Sequence, residues 1–401
     1  MLIKKSFDIY ERLSLLTDSA VFDVSCAPSM DRKNFSKKSD SLSKFGIQNV
    51  WISDGRCIRL LKVLLTNFCI NDCAYCINRK RNDIQRTILR PEELARTTYE
   101  FYRKKQIEGL FLSSGIIGSA QKTMDMMIDT VKILRLKYKF NGYVHLKILP
   151  GSDDFSIKEA TKYADRVSIN IELPTEKSLS LIAPDKKLSS IIGTIDHLNK
   201  IIERGETAAK SQTTQLIVGA TPDTDYQILK LCEHLYKKNL TLKRIYYSAY
   251  IPVNDDPRLP QISKPPLIKE HRLYQADWLI RYYGFQVEEI LSEEKPFLDE
   301  KIDPKLDWAL KNIHLFPVEI QKASFEILVR VPGIGPTSAR RILNVRKKYS
   351  LTPEGLKNLG VVVKRAKHFI TINGKYYGNK NIVKLFKQSY TENIEQYSLA
   401  I

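Results

Sequence analysis

The feature that most constrains the fold is an alternation of short apolar segments with longer segments of helical periodicity, from about residue 58 to residue 285. Six apolar segments have the length and composition of buried strands: 59–66, 109–113, 143–149, 166–173, 215–219 and 244–251. The helical patterns open at Pro91, Lys122, Ser156, Leu188, Thr224 and Leu267. Six successive strand-helix units predict an α/β fold, a partial (β/α)6 TIM-like barrel. Its chemistry should collect at the carboxyl ends of the strands.

Composition limits the class of protein. Hydrophobic residues at 43% and charged residues at 27% exclude a collagen-like or wholly disordered chain. No apolar run approaches the roughly 20 residues that span a bilayer, and Asp8 interrupts the start before a signal-peptide core develops. Six cysteines in 401 residues disfavour a disulfide framework. We therefore expect a cytoplasmic protein without a membrane segment.

Three of the cysteines follow the first predicted strand in a C-x3-C-x2-C pattern, Cys69, Cys73 and Cys76. Three thiolates so close in sequence can surround one cubic iron-sulfur cluster, each holding one iron. Four irons and three local ligands leave one iron open to a small molecule. Cys26, Cys57 and Cys232 are interpreted as ordinary buried thiols.

Three other interpretations compete with the open cluster. A structural zinc site needs a fourth ligand, and the next cysteine is Cys57, upstream. A redox dithiol of Cys73 and Cys76 leaves Cys69 unexplained. Ordinary core cysteines would have to fall by chance into one eight-residue window. The open cluster explains the pattern best.

Together with Tyr75 and the position after the first barrel strand, this motif resembles the radical S-adenosylmethionine superfamily. The resemblance implies a [4Fe-4S] cluster whose open iron chelates the amino and carboxylate groups of S-adenosylmethionine. It implies cleavage to a 5′-deoxyadenosyl radical that abstracts a hydrogen atom from substrate. It also implies a reduced flavodoxin or ferredoxin-type electron donor.

The resemblance extends to further positions. Ser113, Ser114 and Gly115 occupy the place of the superfamily's Gly-Gly-Glu motif, without its glutamate, so binding there would rest on backbone carbonyls and two hydroxyls. A simple small-residue turn is the alternative. Asn170 and Glu172 would contact the ribose and the carboxylate end of the cofactor, or else complete a buried polar layer.

Two more contacts come from neighbouring strands. Lys147 would pair with the cofactor carboxylate, or else extend to the rim. Gly219 would allow close approach of adenine. The tyrosines of the sixth strand are interpreted as core packing residues: Tyr246, Tyr247 and Tyr250.

A second motif, at residues 328–343, resembles the helix-hairpin-helix module of DNA-processing proteins. Gly333 and Gly335 allow a tight turn, and Pro336 suits a first helical position. The free amides at that helix start accept a phosphate. The residues predicted to bind nucleic acid are Gly333, Ile334, Gly335, Thr337, Ser338, Arg340 and Arg341. An ordinary glycine turn is the alternative. A weaker repeat at residues 356–366 suggests a paired hairpin domain.

Pro336 and Thr337 stand where base-excision glycosylases with this module often carry a catalytic lysine, so the hairpin is expected to deliver substrate rather than attack it. The formal charge of +19 favours an anionic partner such as nucleic acid, although a lysine-rich solvated surface is the alternative. The basic clusters lie at 79–81, 103–105, 340–341, 346–348 and 364–367.

The two motifs together resemble the radical S-adenosylmethionine proteins connected with DNA modification or repair, whose genes are often linked to a uracil-DNA-glycosylase-related protein, an implied partner. Segments 61–67, 108–115 and 270–278 add to that resemblance. Four segments are predicted: a helical extension (1–50), the barrel (51–298), a small all-α helix-hairpin-helix domain (299–378) and a tail (379–401).

The leading hypothesis is radical modification or repair of nucleic acid, with DNA favoured. Two alternatives stay open: a DNA-binding protein with a structural or redox-sensing cluster, and radical modification of RNA or of a protein partner.

Overall fold

The computed structural model describes residues 8–20, 46–51 and 57–379. The chain divides into two compact units. The first comprises Met1–Asp223 and His234–Glu270, and the second comprises Thr224–Glu233 and His271–Ile401. Cys26 and nearly all of the predicted tail lie outside the described residues.

The first unit is built on a seven-stranded sheet whose strands follow one another in chain order. An antiparallel edge strand, β1, precedes six parallel strands, β2 to β7. The bounds are β1 Ile47–Trp51, β2 Cys57–Leu64, β3 Gly109–Ser113, β4 Tyr143–Lys147, β5 Arg166–Ser168, β6 Ser211–Val218 and β7 Leu242–Ala249. Six parallel strands in sequential order agree with the predicted partial barrel.

Helices connect the parallel strands, as crossover geometry requires. A further helix, α1 Ile9–Ala20, precedes the sheet. The connecting helices are α2 Pro91–Arg103, α3 Ala120–Lys132, α4 Asp154–Tyr163, α5 Glu176–Ile182, α6 Leu188–Glu203 and α7 Asp225–Lys238, and α8 Leu267–Tyr283 follows the last strand. A π-helical turn, Ile133–Lys137, extends α3. Side chains fix several helix starts: Ser119 accepts a hydrogen bond from the amide of Lys122, and Asp153 from that of Ser156.

Two parts of the sheet differ from the sequence prediction. The strand predicted over 166–173 ends at Ser168, because Ile171 donates its amide to the Thr214 side chain and Glu172 takes a left-handed backbone with φ +69°. Glu172 rejoins the sheet through a single bridge to Leu216. Strand β1 was not predicted, so residues 47–50 of the predicted extension belong to the sheet.

The second unit combines short helices with a three-stranded sheet of order β10-β9-β8. Its helices are α9 Val287–Ile290, α10 Pro304–Lys311, a 3-10 turn at Ile313–Leu315, α11 Phe325–Leu328, α12 Pro336–Val345, α13 Pro353–Asn358 and α14 Val363–Ala366. Its strands are β8 Val318–Glu319, β9 Ile370–Ile372 and β10 Lys375–Tyr376.

The prediction of an all-α second domain was therefore wrong. Asn373 and Gly374 both have positive φ, 51° and 76°, the conformation of the tight two-residue turn that joins β9 to β10. Glu319 on β8 closes this turn by accepting the amides of Asn373 and Gly374 at 3.2 and 2.8 Å. Among the described residues, no helix is both long and apolar enough to cross a membrane.

Candidate functional site

A cavity of about 1140 Å³, open to solvent, lies at the carboxyl ends of the parallel strands. Residues from β2, β3, β4, β6 and β7 line it, together with residues from segments that follow the strands, including β5. Nearly all the residues predicted to bind the cluster and its ligand are in this wall: Cys69, Cys73, Tyr75, Cys76, Ser113, Ser114, Gly115, Lys147, Asn170 and Glu172. Gly219 does not line the cavity, because it packs against Pro266. Strand β6 contributes Gln215 and Ile217 to the wall instead.

The loop that carries the three cysteines is held by Arg86. Its guanidinium donates to four backbone carbonyls, those of Asn67 and Arg79 at 2.6 Å and those of Asn78 and Asn82 at 3.0 Å. Five donors in a fixed planar arrangement allow one arginine to satisfy several acceptors at once. Arg86 thus fixes the path of the chain on both sides of the cysteines.

Gly115 sets how closely this loop approaches the end of β3. Its amide donates to the carbonyl of Thr66 at 2.8 Å, and Ile70 donates to the carbonyl of Ile116 at 2.9 Å. A Cβ at position 115 would lie 2.2 Å from the carbonyl oxygen of Phe68, which is far inside van der Waals contact. Glycine is therefore required for this contact between the loop and the sheet.

The thiols lie where ionisation is costly. Burial raises the pKa of Cys73, and burial together with the charge of Cys73 raises the pKa of Cys76 to about 12. Among the described residues, no three His, Cys, Asp or Glu side chains surround one common ion position. A cubic cluster makes a different demand, because each of its three thiolates holds a separate iron.

Lys186, which precedes α6, lies in the cavity wall beside the cysteine loop. Its Nζ lies 2.7 Å from Oε1 of Glu172 and 3.2 Å from Oη of Tyr75. Burial by itself would lower the pKa of Lys186, but the negative charges of Glu172, Cys73 and Cys76 outweigh it and raise the pKa. Lys186 was not predicted from the sequence, because nothing near it in the chain indicates that it lies beside the cysteines.

Glu172 reaches this position through a strained backbone. A left-handed conformation in a non-glycine residue costs about 1–3 kcal/mol and is often found at functional sites. Two backbone hydrogen bonds to β6 hold it: its amide donates to Gln215 at 3.0 Å, and its carbonyl accepts from Ile217 at 2.7 Å. The sheet thus fixes the Glu172–Lys186 pair inside the cavity.

Three polar atoms in the cavity wall are buried and have no hydrogen-bond partner within the described chain: Oγ of Ser114, Oδ1 of Asn78 and Oη of Tyr250. A buried polar atom without a partner costs about 1–3 kcal/mol, so such atoms mark places where a bound molecule supplies the partner. Tyr250, interpreted from the sequence as a packing residue, is one of them. The cavity therefore combines a three-thiol loop, buried charge and unsatisfied polar atoms, which fits a cluster with a polar organic ligand.

An ionic network joins the cysteine loop to the segment after β7. Asp256 accepts from Arg79 at 2.5 Å and from Arg258 at 2.7 Å, and these hydrogen bonds lower the pKa of Asp256. Asn254 donates to the carbonyl of Ala74 at 2.9 Å. Arg79, counted from the sequence as part of a basic cluster, is thus an internal structural residue.

In the second unit, the residues predicted to form a hairpin lie in the segment that joins α11 to α12. Gly333 has φ +90°, and a Cβ there would lie 2.7 Å from the carbonyl oxygen of Val362. Val362, in the turn between α13 and α14, donates its amide to the carbonyl of Gly333 at 2.9 Å. The Ser338 hydroxyl donates to the carbonyl of Gly360 at 2.9 Å. Two helix-turn-helix segments are therefore packed turn against turn.

The residues predicted to contact nucleic acid fall into two groups. Thr337, Arg340 and Arg341 are exposed, and Gly335, the N-cap residue of α12, provides no side-chain cap. Ser338 and Ile334 are buried. The Ser338 hydroxyl is engaged by the second turn, and the carbonyl of Ile334 accepts from Lys305 at 2.5 Å.

Some basic residues counted from the sequence have internal partners. Arg346 donates to the carbonyls of Ile320 and Ala323, and Arg365 is ion-paired with Asp303. Lys347, Lys348 and Lys364 are exposed. Cys57, expected to be buried, is exposed at the start of β2, whereas Cys232 is buried.

Comparison with known proteins places the three cysteines inside a region that matches a known family. A family model described as the Radical SAM superfamily matches residues 63–239. Residues 63–239 are thus similar to a superfamily of enzymes whose cofactors are a [4Fe-4S] cluster and S-adenosylmethionine and whose chemistry requires an electron donor. No curated protein sequence matches the chain.

Solved structures with partial similarity include two maturation or biosynthetic enzymes and one oxidase. HydG, a maturase of the FeFe-hydrogenase, is 18% identical, with 54% of this chain and 48% of HydG covered and a TM-score of 0.43. Methylornithine synthase (PylB) is 13% identical, with 66% and 75% covered and a TM-score of 0.44. Coproporphyrinogen III oxidase (HemN) from Escherichia coli is 13% identical, with 53% and 50% covered and a TM-score of 0.34. The chain thus spans about half of HydG and of HemN.

Proposed function

We propose that this chain is a radical S-adenosylmethionine enzyme that modifies or repairs nucleic acid, with DNA the favoured substrate. The observation that carries the first part is the convergence of the three-cysteine loop, the buried Glu172–Lys186 pair and the unsatisfied polar atoms in one cavity. Cys69, Cys73 and Cys76 would each hold one iron of the cluster. When bound, the cofactors supply one-electron cleavage of the sulfonium carbon-sulfur bond, which yields methionine and a 5′-deoxyadenosyl radical that takes a hydrogen atom from the substrate.

The chain's own residues would bind and orient the S-adenosylmethionine. Lys147 and Lys186 are the cations of the cavity wall suited to a carboxylate. The hydroxyl of Ser114 would accept a hydrogen bond from the ligand's ammonium group, in the absence of the superfamily's glutamate. Glu172, paired with Lys186, would act by fixing the position of that lysine.

Asn170 is buried in the wall beyond β5 and would contact the ribose. Gln215 and Ile217 on β6, rather than Gly219, are the wall residues of the segment expected to lie near adenine. Tyr250, at the end of β7, offers a hydroxyl on the β7 side of the same wall.

The paired turns of the second unit support the nucleic-acid part of the proposal. Turns of this kind leave the first amides of the following helix free for a phosphate. The N-cap residue of α12 is Gly335, so no side chain caps that helix. Arg340 and Arg341 are exposed one turn further on, and the whole chain carries a formal charge of +19. Backbone contacts of this type should give salt-dependent binding with little sequence preference.

The test begins with anaerobic reconstitution of the full chain, reduction, and incubation with S-adenosylmethionine. We expect 5′-deoxyadenosine from the wild type and from Cys57→Ser, whose thiol is exposed on β2, and none from Cys76→Ser. A wild-type protein that holds an intact cluster but releases no 5′-deoxyadenosine would refute the enzymatic proposal.

The substrate is tested separately with mass spectrometry of nucleosides from DNA and RNA incubated with the reduced enzyme. We expect a new or lost nucleoside mass in DNA that depends on S-adenosylmethionine. A change confined to RNA would refute the preference for DNA. No change in either nucleic acid, with 5′-deoxyadenosine still released, would refute a nucleic-acid substrate.

A further inference from the structure

Two large aromatic side chains lie side by side on the surface of α8. Trp278 is 48% exposed and Tyr282 is 46% exposed. Their ring centroids are 4.8 Å apart, with an interplanar angle of 48°. We call this pair the aromatic shelf. Trp278 belongs to the segment 270–278, one of the segments that add to the family resemblance of the sequence.

A cation is fixed beside the shelf. The guanidinium of Arg281 lies 4.8 Å from the ring centroid of Tyr282. Asp277, which is 2% exposed, accepts from Arg281 at 3.3 Å and so limits the positions that the guanidinium can take. Because the Arg281 side chain is only 15% exposed and is ion-paired with Asp277, the surface offers chiefly the two aromatic side chains, which can stack bases of single-stranded nucleic acid.

The aromatic shelf is next in sequence to Tyr283, which contacts the hairpin of the same unit. Tyr283, the residue after Tyr282, lies against Gly335, the N-cap residue of α12. A Cβ at Gly335 would be 3.3 Å from Oη of Tyr283. Lys305 connects the two further, since its Nζ lies 4.6 Å from the Tyr283 ring centroid and donates to the carbonyl of Ile334. Trp278 precedes Tyr283 by five residues, about 7.5 Å along the helix axis.

From this arrangement we propose that the aromatic shelf stacks an unpaired base of the DNA strand whose phosphates the hairpin holds. The proposal rests on the proposed function and narrows its substrate to DNA with a single-stranded or extruded nucleotide. Bases inside a duplex are stacked on one another and cannot reach the rings, whereas an unpaired base has both faces free. An enzyme that takes a hydrogen atom from a nucleotide needs that nucleotide outside the stack.

The test compares two fluorescent probes with the full-length protein at low salt: a single-stranded oligodeoxynucleotide of about 16 nucleotides and its duplex. We expect the double variant Trp278→Ala/Tyr282→Ala to weaken single-strand binding by roughly 5- to 100-fold, because stacking one base on an aromatic side chain is worth about 1–3 kcal/mol. Duplex binding should change by less than about twofold. Trp278→Phe/Tyr282→Phe, which keeps both aromatic faces, should restore most of the affinity.

The matched control is Phe155→Ala, which removes a 71% exposed aromatic side chain from α4 in the first unit and should leave both affinities unchanged. Unchanged single-strand binding in the double alanine variant would overturn the shelf while leaving the nucleic-acid function intact. Equal loss of both probes without rescue by phenylalanine would assign the pair a structural role. Loss of binding accompanied by a change in oligomeric state would mean that the aromatic shelf packs against a second copy of the chain rather than against a base. Failure of the wild type to bind either probe would overturn the proposed function and the shelf together.

Discussion

Replacing Arg86 with methionine should release the cysteine loop while leaving the barrel folded. Each hydrogen bond from a charged donor is worth about 1.5 kcal/mol at the lower end of its range, so the four bonds to carbonyls would amount to about 6 kcal/mol. Arg86 is half-buried, and water can replace part of these bonds. We therefore expect the ordered loop to lose about 3 kcal/mol, which corresponds to a factor of about 100 in its equilibrium with open conformations.

The assay is iron and sulfide content per chain after anaerobic reconstitution, followed by the rate of iron loss to a chelator. Arg86→Met should hold much less iron and lose it faster than the wild type. Arg135→Met provides a matched control, because Arg135 donates to the carbonyls of Tyr163, Phe140 and Gly142 and to Asp165, in segments that precede the parallel strands β4 and β5. This substitution removes the same number of hydrogen bonds, but near the amino ends of the strands rather than their carboxyl ends. It should lower stability without lowering the iron content of the folded protein.

The reasoning would be refuted in either of two ways. Wild-type iron content and chelator resistance in Arg86→Met would mean that the loop needs no side chain to hold it. Iron loss from Arg135→Met as large as that from Arg86→Met would mean that cluster retention follows overall stability rather than the order of this loop.

Three further predictions concern single contacts. Gly115→Ala should lower iron content, because its Cβ would meet a backbone carbonyl oxygen at 2.2 Å and push the cysteine loop from β3; wild-type iron content would contradict this. Gly333→Ala should destabilise the second unit by about 2–4 kcal/mol, through backbone strain and through overlap of its Cβ with the carbonyl oxygen of Val362. Gly374→Ala also has a positive φ, but its Cβ would meet no atom, so urea unfolding should show a smaller loss of stability. Glu319→Gln should destabilise by about 1 kcal/mol at neutral pH. The hydrogen bonds of Glu319 with backbone amides outweigh its burial and lower its pKa, so its stabilisation is present above the usual carboxyl pKa and lost as pH falls through the depressed value; a difference between wild type and variant that persists in acid would contradict this.

The sequence by itself determined the features that depend on residues close together in the chain. The period of the apolar segments indicated the six parallel strands, and Pro91, suited to a first helical position, indicated the start of α2. The spacing of Cys69, Cys73 and Cys76 placed three thiols in one loop for the same reason. One local signal was present but unused: the Asn373-Gly374 pair after an apolar strand indicates a hairpin, and it would have predicted the small sheet of the second unit.

The tertiary structure alone decided which distant residues share the cavity. Lys186 lies 110 residues beyond Cys76, and Tyr250 directly follows the last strand of the sheet, yet both line the wall that the cysteines line. It also decided that the Ser338 hydroxyl and Arg79 are occupied inside the protein. Contacts across a parallel sheet depend on the order of its strands and on the loops at their ends, and local periodicity carries no information about these pairings.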